Sequence, residues 1–488
     1  LLSDFLMKLM KLPILFFDRK NIGDLLQRIQ DHTRIQNFLS SSTLGALFSF
    51  VHIVIFSLVL AYYNLFIFSI FTLGTLLYLG WTVLFLKKRK ELDYRRFDLA
   101  SGNQSSIVQL LNGMQEIKLN GSERKRRWEW ETIQARLYRV SIKGLALQQT
   151  QNIGGSFIDQ VKNIIITFLA AKSVIDGQIT LGAMLSIQYI LGQLNIPVNN
   201  LITFIQSAQD TQLSLARISD VHLQDDEENK IEESIRQLPK DKSIYVHNLS
   251  FRYGSKHSPL VLENLNFEIP QGKITAIVGA SGSGKTTLVK HLLKIVNPNK
   301  GLIKIGNTML NNLSVSFWRS KCGSVMQEGY IFSDTIARNI TESDSEGLID
   351  KEKLLRAVRI ANIESFIESL PMGYNTRIGA SGMGISGGQK QRILIARAVY
   401  KNPDYLFFDE ATSALDSTNE SQIMNKLHEF FENKTVVIVA HRLSTVKKAN
   451  NIIVLEKGKI IEEGKHQELV KNRGVYYKLV KDQLELGS

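Results

Sequence analysis

Between Ile35 and Leu86 the chain carries no Asp, Glu, Lys or Arg, and between Gly177 and Gln209 it again carries none. A helix in a water-soluble domain turns a polar face outward, so runs this long without charge imply apolar surroundings on all sides. The first run would make about 78 Å of helix at about 1.5 Å per residue, against a bilayer hydrocarbon core of about 30 Å. Two crossings fit, with Tyr62-Tyr63-Asn64 as the turn and spans near 42–62 and 65–86. A second pair is expected near 153–174 and 180–205, turning at Asp176-Gly177-Gln178, with Pro197 kinking the last span. Basic residues stand on both flanks of the first hairpin: Arg19, Lys20, Arg28 and Arg34 before it, Lys87, Lys88, Arg89, Lys90, Arg95 and Arg96 after it. The tip has none, so the positive-inside rule puts both flanks in the cytoplasm. Residues 88–150 read as two long polar helices projecting there, joined near 113–128. Asp159 and Lys162 share one helical face inside an expected span, as part of a water-filled pathway or as a mutual ion pair.

The 488 residues exceed what one core holds, and they divide by composition. Residues 1–220 form the membrane part, the charge-dense stretch 221–242 reads as a linker, and 243–488 is an ordinary mixture of strand and helix signals. One cysteine, Cys322, excludes an internal disulfide framework and suits a reducing compartment. The formal net charge of +13 comes with basic residues that flank apolar spans, where the lipid bilayer rather than nucleic acid is the expected partner. The chain opens at LLSDFLMKLMKLP, helical in style and without an initiator Met, so a further segment is expected upstream of Leu1.

ITAIVG (274–279) reads as a strand and TTLVKHLLKIV (286–296) as a helix. Gly279, Ala280, Ser281, Gly282, Ser283, Gly284, Lys285 and Thr286 join them, with Thr287 next. Glycines at this spacing let the backbone wrap a phosphate chain with its N–H groups inward, and the helix N-terminus adds partial positive charge. Lys285 is placed to reach the β- and γ-phosphates, and Thr286 to offer its hydroxyl to Mg2+. YLFFDE (405–410) is an apolar strand ending in two acids, at the edge where α/β sheets hold ligands. Asp409 fits the metal side, and Glu410 the base that orients or deprotonates an attacking water; the alternative for both is a solvated loop. Gln327 follows the strand-like CGSVM and His441 follows TVVIVA (435–440); taken alone, each is equally a structural residue. ISGGQ (385–389) feeds a further helix through a glycine turn, with Ser386 as candidate cap: a second anion site, or a plain capped turn.

From about Ile244 to Leu484 these motifs resemble, in order, the nucleotide-binding domain of ABC (ATP-binding cassette) transporters: the aromatic in FRYG, the phosphate loop, Gln327, the signature ISGGQ, the acidic strand end, SALD (413–416) and His441. The resemblance implies ATP and Mg2+ as ligands. It also implies a homodimer in which the signature of one subunit closes over the ATP on the phosphate loop of the other. By it Tyr253 stacks the adenine, and Gln327 senses Mg2+ and communicates with the membrane domain. Gly387 and Gln389 belong to the signature, whose Ser386 and Gly388 contact the partner's γ-phosphate. Asp416 lies across the interface, and His441 contacts the γ-phosphate, joining Lys285 and Glu410 in catalysis.

The membrane half resembles exporters of the same superfamily, in which six spans precede the cassette. The four here would be numbers three to six, and 16–24 and 116–124 look like segments that dock onto cassettes. Runs such as FIESLPMGYNTRIGASG look closest to bacterial peptide and bacteriocin exporters, which often carry an N-terminal peptidase; here it would lie before Leu1. Two positions depart from the family: Ile385 replaces the usual leucine, and Ala380 stands where many exporters have glutamate, which puts a detail of coupling in question. The expected fold is therefore multidomain, an α-helical transmembrane exporter domain followed by an α/β P-loop NTPase (ABC ATPase) domain. The expected function is ATP-driven export of a peptide or bacteriocin-like polypeptide across the bacterial inner membrane, by a multi-pass chain with its cassette in the cytoplasm. Export of lipid or small hydrophobic compounds, an ATP-gated channel or regulatory subunit, and a truncated remnant without function stand as alternatives.

Overall fold

In the computed structural model both charge-free runs are helical, interrupted only by short turns. The structure describes residues 2–228, 235–255, 257–344, 347–380, 382–411, 417–440 and 446–485. The chain divides into two units, Leu1–Glu227 and Glu228–Ser488, each with its own apolar core. The first unit contains α1 (Leu2–Lys11), α2 (Ile14–Arg19), α3 (Ile22–Asn37), α4 (Thr43–Tyr63), α5 (Leu65–Asn112), α6 (Met114–Leu119), α7 (Glu123–Ile175) and α8 (Leu181–His222). A π-helical turn, Phe38–Ser42, joins α3 to α4. Asn64 stops α4 with an extended backbone and caps α5: its Oδ1 accepts from the N–H groups of Phe66 (2.9 Å) and Ile67 (3.1 Å). The second hairpin turns through Gly177 at φ 72°, and Thr180 Oγ1 caps α8 by accepting from Ala183 N at 3.1 Å. α8 runs through Pro197 without ending.

Phe48, Leu58, Leu84 and Phe168 are exposed, while Leu60, Ile67, Ile166, Ile187 and Leu194 are buried between helices. Large apolar side chains turned outward mark helices whose solvent is lipid. Among the described residues three helical segments, Ile22–Tyr63, Leu65–Asn112 and Leu181–His222, are long and apolar enough to cross a membrane. The crossing expected near 153–174 falls in α7, which is not among them, because Asp159 and Lys162 interrupt its apolar stretch. These two form an ion pair at 2.6 Å, with the buried Lys162 ammonium 4.6 Å from the centroid of the Phe71 ring. Gly74 makes the room: a Cβ there would lie 2.7 Å from Lys162 Cγ, and one at Gly155 would lie 2.1 Å from Tyr78 Cε2. α5 and α7 therefore meet with small residues against large ones, the usual device where no water drives helices together.

The second unit holds β1 (Ile244–Phe251), β2 (Leu262–Ile269), β3 (Ile274–Val278), β4 (Lys300–Ile305), β5 (Thr308–Met309), β6 (Cys322–Val325), β7 (Tyr405–Asp409), β8 (Thr435–Val439), β9 (Asn451–Glu456) and β10 (Lys459–Gly464). An antiparallel sheet runs β2-β1-β4-β5. The other runs β10-β9-β3-β8-β7-β6, parallel except for β10 at its edge. β7 and β8 are buried at every position, as strands covered on both faces must be. The helices are α9 (Lys285–Leu292), α10 (Val315–Ser320), α11 (Ile336–Ile340), α12 (Lys351–Ile360), α13 (Glu364–Glu368), α14 (Gly387–Tyr400) and α15 (Ser417–Phe430), followed by His466–Asn472 and Val475–Glu485. α9 is shorter than the expected 286–296, because the chain turns out of it with Lys294 at φ 54°. β3, β7 and β8 are parallel neighbours, so their carboxyl ends share one edge and bring the phosphate loop, Asp409 and Glu410 to it.

Candidate active site

The phosphate loop leaves β3 at Gly279 (φ 154°), where a Cβ would sit 2.1 Å from the carbonyl oxygen of Leu455. Gly284 (φ 103°) is closed to side chains by Leu262 Cδ2 at 2.7 Å and Val261 O at 3.0 Å. Both positions require glycine twice over, for backbone angle and for close approach. Ser283 N donates to Ala280 O (3.2 Å) and Gly458 N donates to Ser283 O (3.1 Å), which fixes the loop against the turn after β9. Lys285 opens α9, and its Nζ donates to the carbonyl oxygens of Gly279 and Ala280, each at 2.9 Å. Burial lowers the Lys285 pKa, against the pull of Glu410 and Asp409. Ala280, Ser281 and Gly282 are exposed at the rim, Thr286 is half-buried and Thr287 buried. The Thr287 hydroxyl lies 3.4 Å from the Tyr253 hydroxyl. The Tyr253 ring packs edge-on against Phe251 (4.8 Å between centroids) and is still 39% exposed, free to meet a planar base.

Asp409 closes β7 fully buried, and neither of its carboxylate oxygens has a hydrogen-bond partner. Burial raises its pKa; the Thr286 hydroxyl stands close enough to ease the charge without completing a hydrogen bond. A buried carboxylate left in this state is costly. An orphaned carboxylate beside a hydroxyl is an oxygen donor set that a hard divalent cation takes, so the residues fit Mg2+.

Glu410 follows with φ 52°, a left-handed angle rare for a residue with a side chain. Its N–H donates to Val439 O (3.1 Å), its carbonyl accepts from Gln391 Nε2 (3.0 Å), and its Oε2 accepts from Gln327 Nε2 (3.1 Å). Asp409 is thus buried and Glu410 held by hydrogen bonds, unlike acids on a solvated loop. The sequence reading gave Gln391 no role, although it lies in the same ISGGQKQR stretch; only the packing of α14 beside β7 reveals it. Ser386 caps α14: its Oγ accepts from Gln389 N (3.2 Å) while Gln389 Oε1 accepts from Ser386 N (2.8 Å). Gly387 and Gly388 make the first turn, where N–H groups have no partner inside the helix. Asp416 and His441 lie outside the described residues.

Comparisons with known proteins place both units in one family. The family profile described as ABC transporter matches residues 262–413, and that described as ABC transporter transmembrane region matches 1–198. The chain belongs to the ABC transporters, with the helical membrane region and the ATPase domain of an exporter on one polypeptide. Its C-terminal unit carries the ABC ATPase domain.

Among curated proteins it is 36% identical over 472 residues to the leukotoxin export ATP-binding protein LtxB of Aggregatibacter actinomycetemcomitans, across 96% of this chain and 66% of that protein. It is 35% identical over 464 residues to the alpha-hemolysin translocation ATP-binding protein HlyB of Escherichia coli, across 95% of this chain and 65% of that protein. The chain thus spans just under two thirds of the length of these relatives. A solved structure of a bacterial Atm1-family ABC exporter with ATP bound superposes with a TM-score of 0.92 at 25% identity, covering 99% of this chain and 84% of that one.

Proposed function

We propose that the chain is the core of an ATP-driven polypeptide exporter of the bacterial inner membrane, working as a homodimer with membrane domain 1–220, linker 221–242 and cassette 243–488. One observation carries the reading: Glu410, restrained by Gln327, sits beside the buried, unpartnered Asp409 and the Lys285 loop. Thr286, Gln327 and Asp409 would hold Mg2+, which supplies positive charge to the phosphates when bound. Lys285 gives up its two loop carbonyls to meet phosphate oxygens, and Tyr253 offers its exposed ring to the adenine. Glu410, released from Gln327, orients the attacking water and takes its proton at a carboxylate oxygen. Because Gln327 holds the base, its own position sets whether Glu410 is free to act. Ser386 and Gly388 of a second copy, with Gly387 and Gln389 shaping the turn, close the site, and the partner's Asp416 and this chain's His441 complete it. The names of the toxin-exporting relatives support a polypeptide cargo; the bacteriocin-like cargo expected from the sequence is narrower than those names carry.

The test is uptake of a labelled polypeptide toxin of the kind the relatives are named for into inside-out vesicles holding the full chain. Uptake should require ATP and stop in Glu410→Gln, whose ATP hydrolysis should fall about 10²–10⁴-fold with ATP binding retained. Undiminished hydrolysis in the variant removes Glu410 from the mechanism, and ATP-independent uptake removes export.

A further inference from the structure

A polar cavity of about 470 Å3 lies inside the first unit, between the π turn after α3 and helices α5, α7 and α8. Arg34, Arg89 and Arg96 line it with Asn37, Ser141 and Gln148. Its acids are already engaged. Asp210 pairs with Arg89 (2.7 Å), and Asp93 pairs with Arg34 (3.3 Å) and with the buried Arg217 (2.9 Å). Asp31 takes Arg217 at 2.7 Å. Arg34, Arg89 and Arg217 thus share Asp31, Asp93 and Asp210, and among the described residues Arg96 has no hydrogen bond or ion pair. Arg96 also lines an adjoining cavity of about 290 Å3.

The height of the cavity is fixed by the sequence on every wall. Arg34 precedes and Arg89 follows the charge-free run 35–86, Asp210 follows the run 177–209, and Gln148 and Gln151 stand just before the apolar part of α7. The upper walls therefore cross the cavity where apolar helix gives way to charge, which is the level of the inner-leaflet headgroups, and Arg96, ten residues past Leu86, stands at its cytoplasmic end. Leu44, Leu84 and Ile153, membrane-ward on the same helical segments, are exposed apolar side chains suited to acyl chains. We propose that this cavity is a binding site for the phosphate headgroup of an anionic lipid of the cytoplasmic leaflet, with Arg96 as its principal cation. Basic pockets between helices on this side recognise such headgroups. The inference rests on the membrane region alone and is independent of the ATP chemistry.

The test uses the full chain purified from nanodiscs of phosphatidylcholine with phosphatidylglycerol, and native mass spectrometry to count retained lipids. Wild-type protein should keep phosphatidylglycerol over phosphatidylcholine. Arg96→Gln should lower that retention about fivefold, the expected worth of one cation near the headgroups. Arg96→Lys, which keeps the charge, should recover part of it and guards against misfolding as the cause. Arg95→Gln removes the same charge one residue away, from a side chain paired with Glu91 (2.7 Å) outside the cavity, and should match wild type. Equal losses in Arg95→Gln and Arg96→Gln, or equal retention of both lipids by wild type, overturn the proposal. So does a Glu-rich peptide that binds through Arg96 while no phosphatidylglycerol is retained, which would make the cavity a cargo site.

Discussion

Asp409 shows what a single residue gives up for a ligand. Its folded pKa is raised above the ordinary 3.8, first by burial. The sign follows from proton linkage: the folded state binds the proton more tightly, so the contribution to stability is full below about 3.8 and is lost as pH rises through the folded pKa. As pH rises towards neutrality the buried, unpartnered side chain therefore costs the nucleotide-free protein stability. Asp409→Asn should therefore raise the melting temperature of the nucleotide-free chain near neutral pH, by about 2–4 °C for each kcal/mol relieved, while weakening Mg2+-dependent hydrolysis. Thermal unfolding of both proteins from about pH 4 to about pH 7 checks it, and the gap should narrow towards acid. A wild type more stable than the variant at neutral pH contradicts the assignment. The sequence marked Asp409 as an acid at a strand end. It could not show that both oxygens are orphaned, because that depends on how α9, which carries Thr286, packs against β7.

At the scale of elements, α14 and the α5–α7 pair are the informative cases. The Ser386 cap was legible, since a small polar residue before a glycine turn and an apolar-periodic run is a helix start. Ser386→Ala should cost about 1 kcal/mol in the nucleotide-free protein, with Ser386→Thr restoring most of it, read as a melting-temperature difference of about 2–4 °C. Equal stability of Ser386→Ala and wild type would mean that the capping box contributes nothing. The α5–α7 contact was not legible. Gly74, Gly154 and Gly155 carry no periodic signal that names Lys162, Trp81 and Tyr78 as their neighbours. Gly155→Val places atoms where Tyr78 now lies, 2.1 Å from a Cβ, and should destabilise the membrane unit by about 1–3 kcal/mol in a detergent unfolding assay. The same tertiary detail explains why α7 reads as a weaker membrane segment than its neighbours. Its Asp159–Lys162 pair is satisfied inside the bundle, and hydropathy along one chain does not register a partner.

At the scale of the whole molecule, the two-part plan was read from composition alone, and the order of the motifs named the family before any contact was known. In the proposed mechanism a second copy supplies the rest of the site. The phosphate loop, Gln327, Asp409 and Glu410 gather at one sheet edge, while Ser386 caps α14, whose Gly387 and Gly388 N–H groups have no partner inside the helix. The central claim is that these N–H groups serve the nucleotide of a second copy. It is tested most directly by placing cysteines at Ser281→Cys and Ser386→Cys in the Glu410→Gln full chain. Cys322 is buried, with its thiol pKa pushed far up by burial, and stays silent. With ATP and a short bis-maleimide, each of whose rings adds one cysteine thiol, the account predicts a covalent dimer that forms only when both new cysteines are present. Cross-linking within single chains, or none in the presence of ATP, would contradict it.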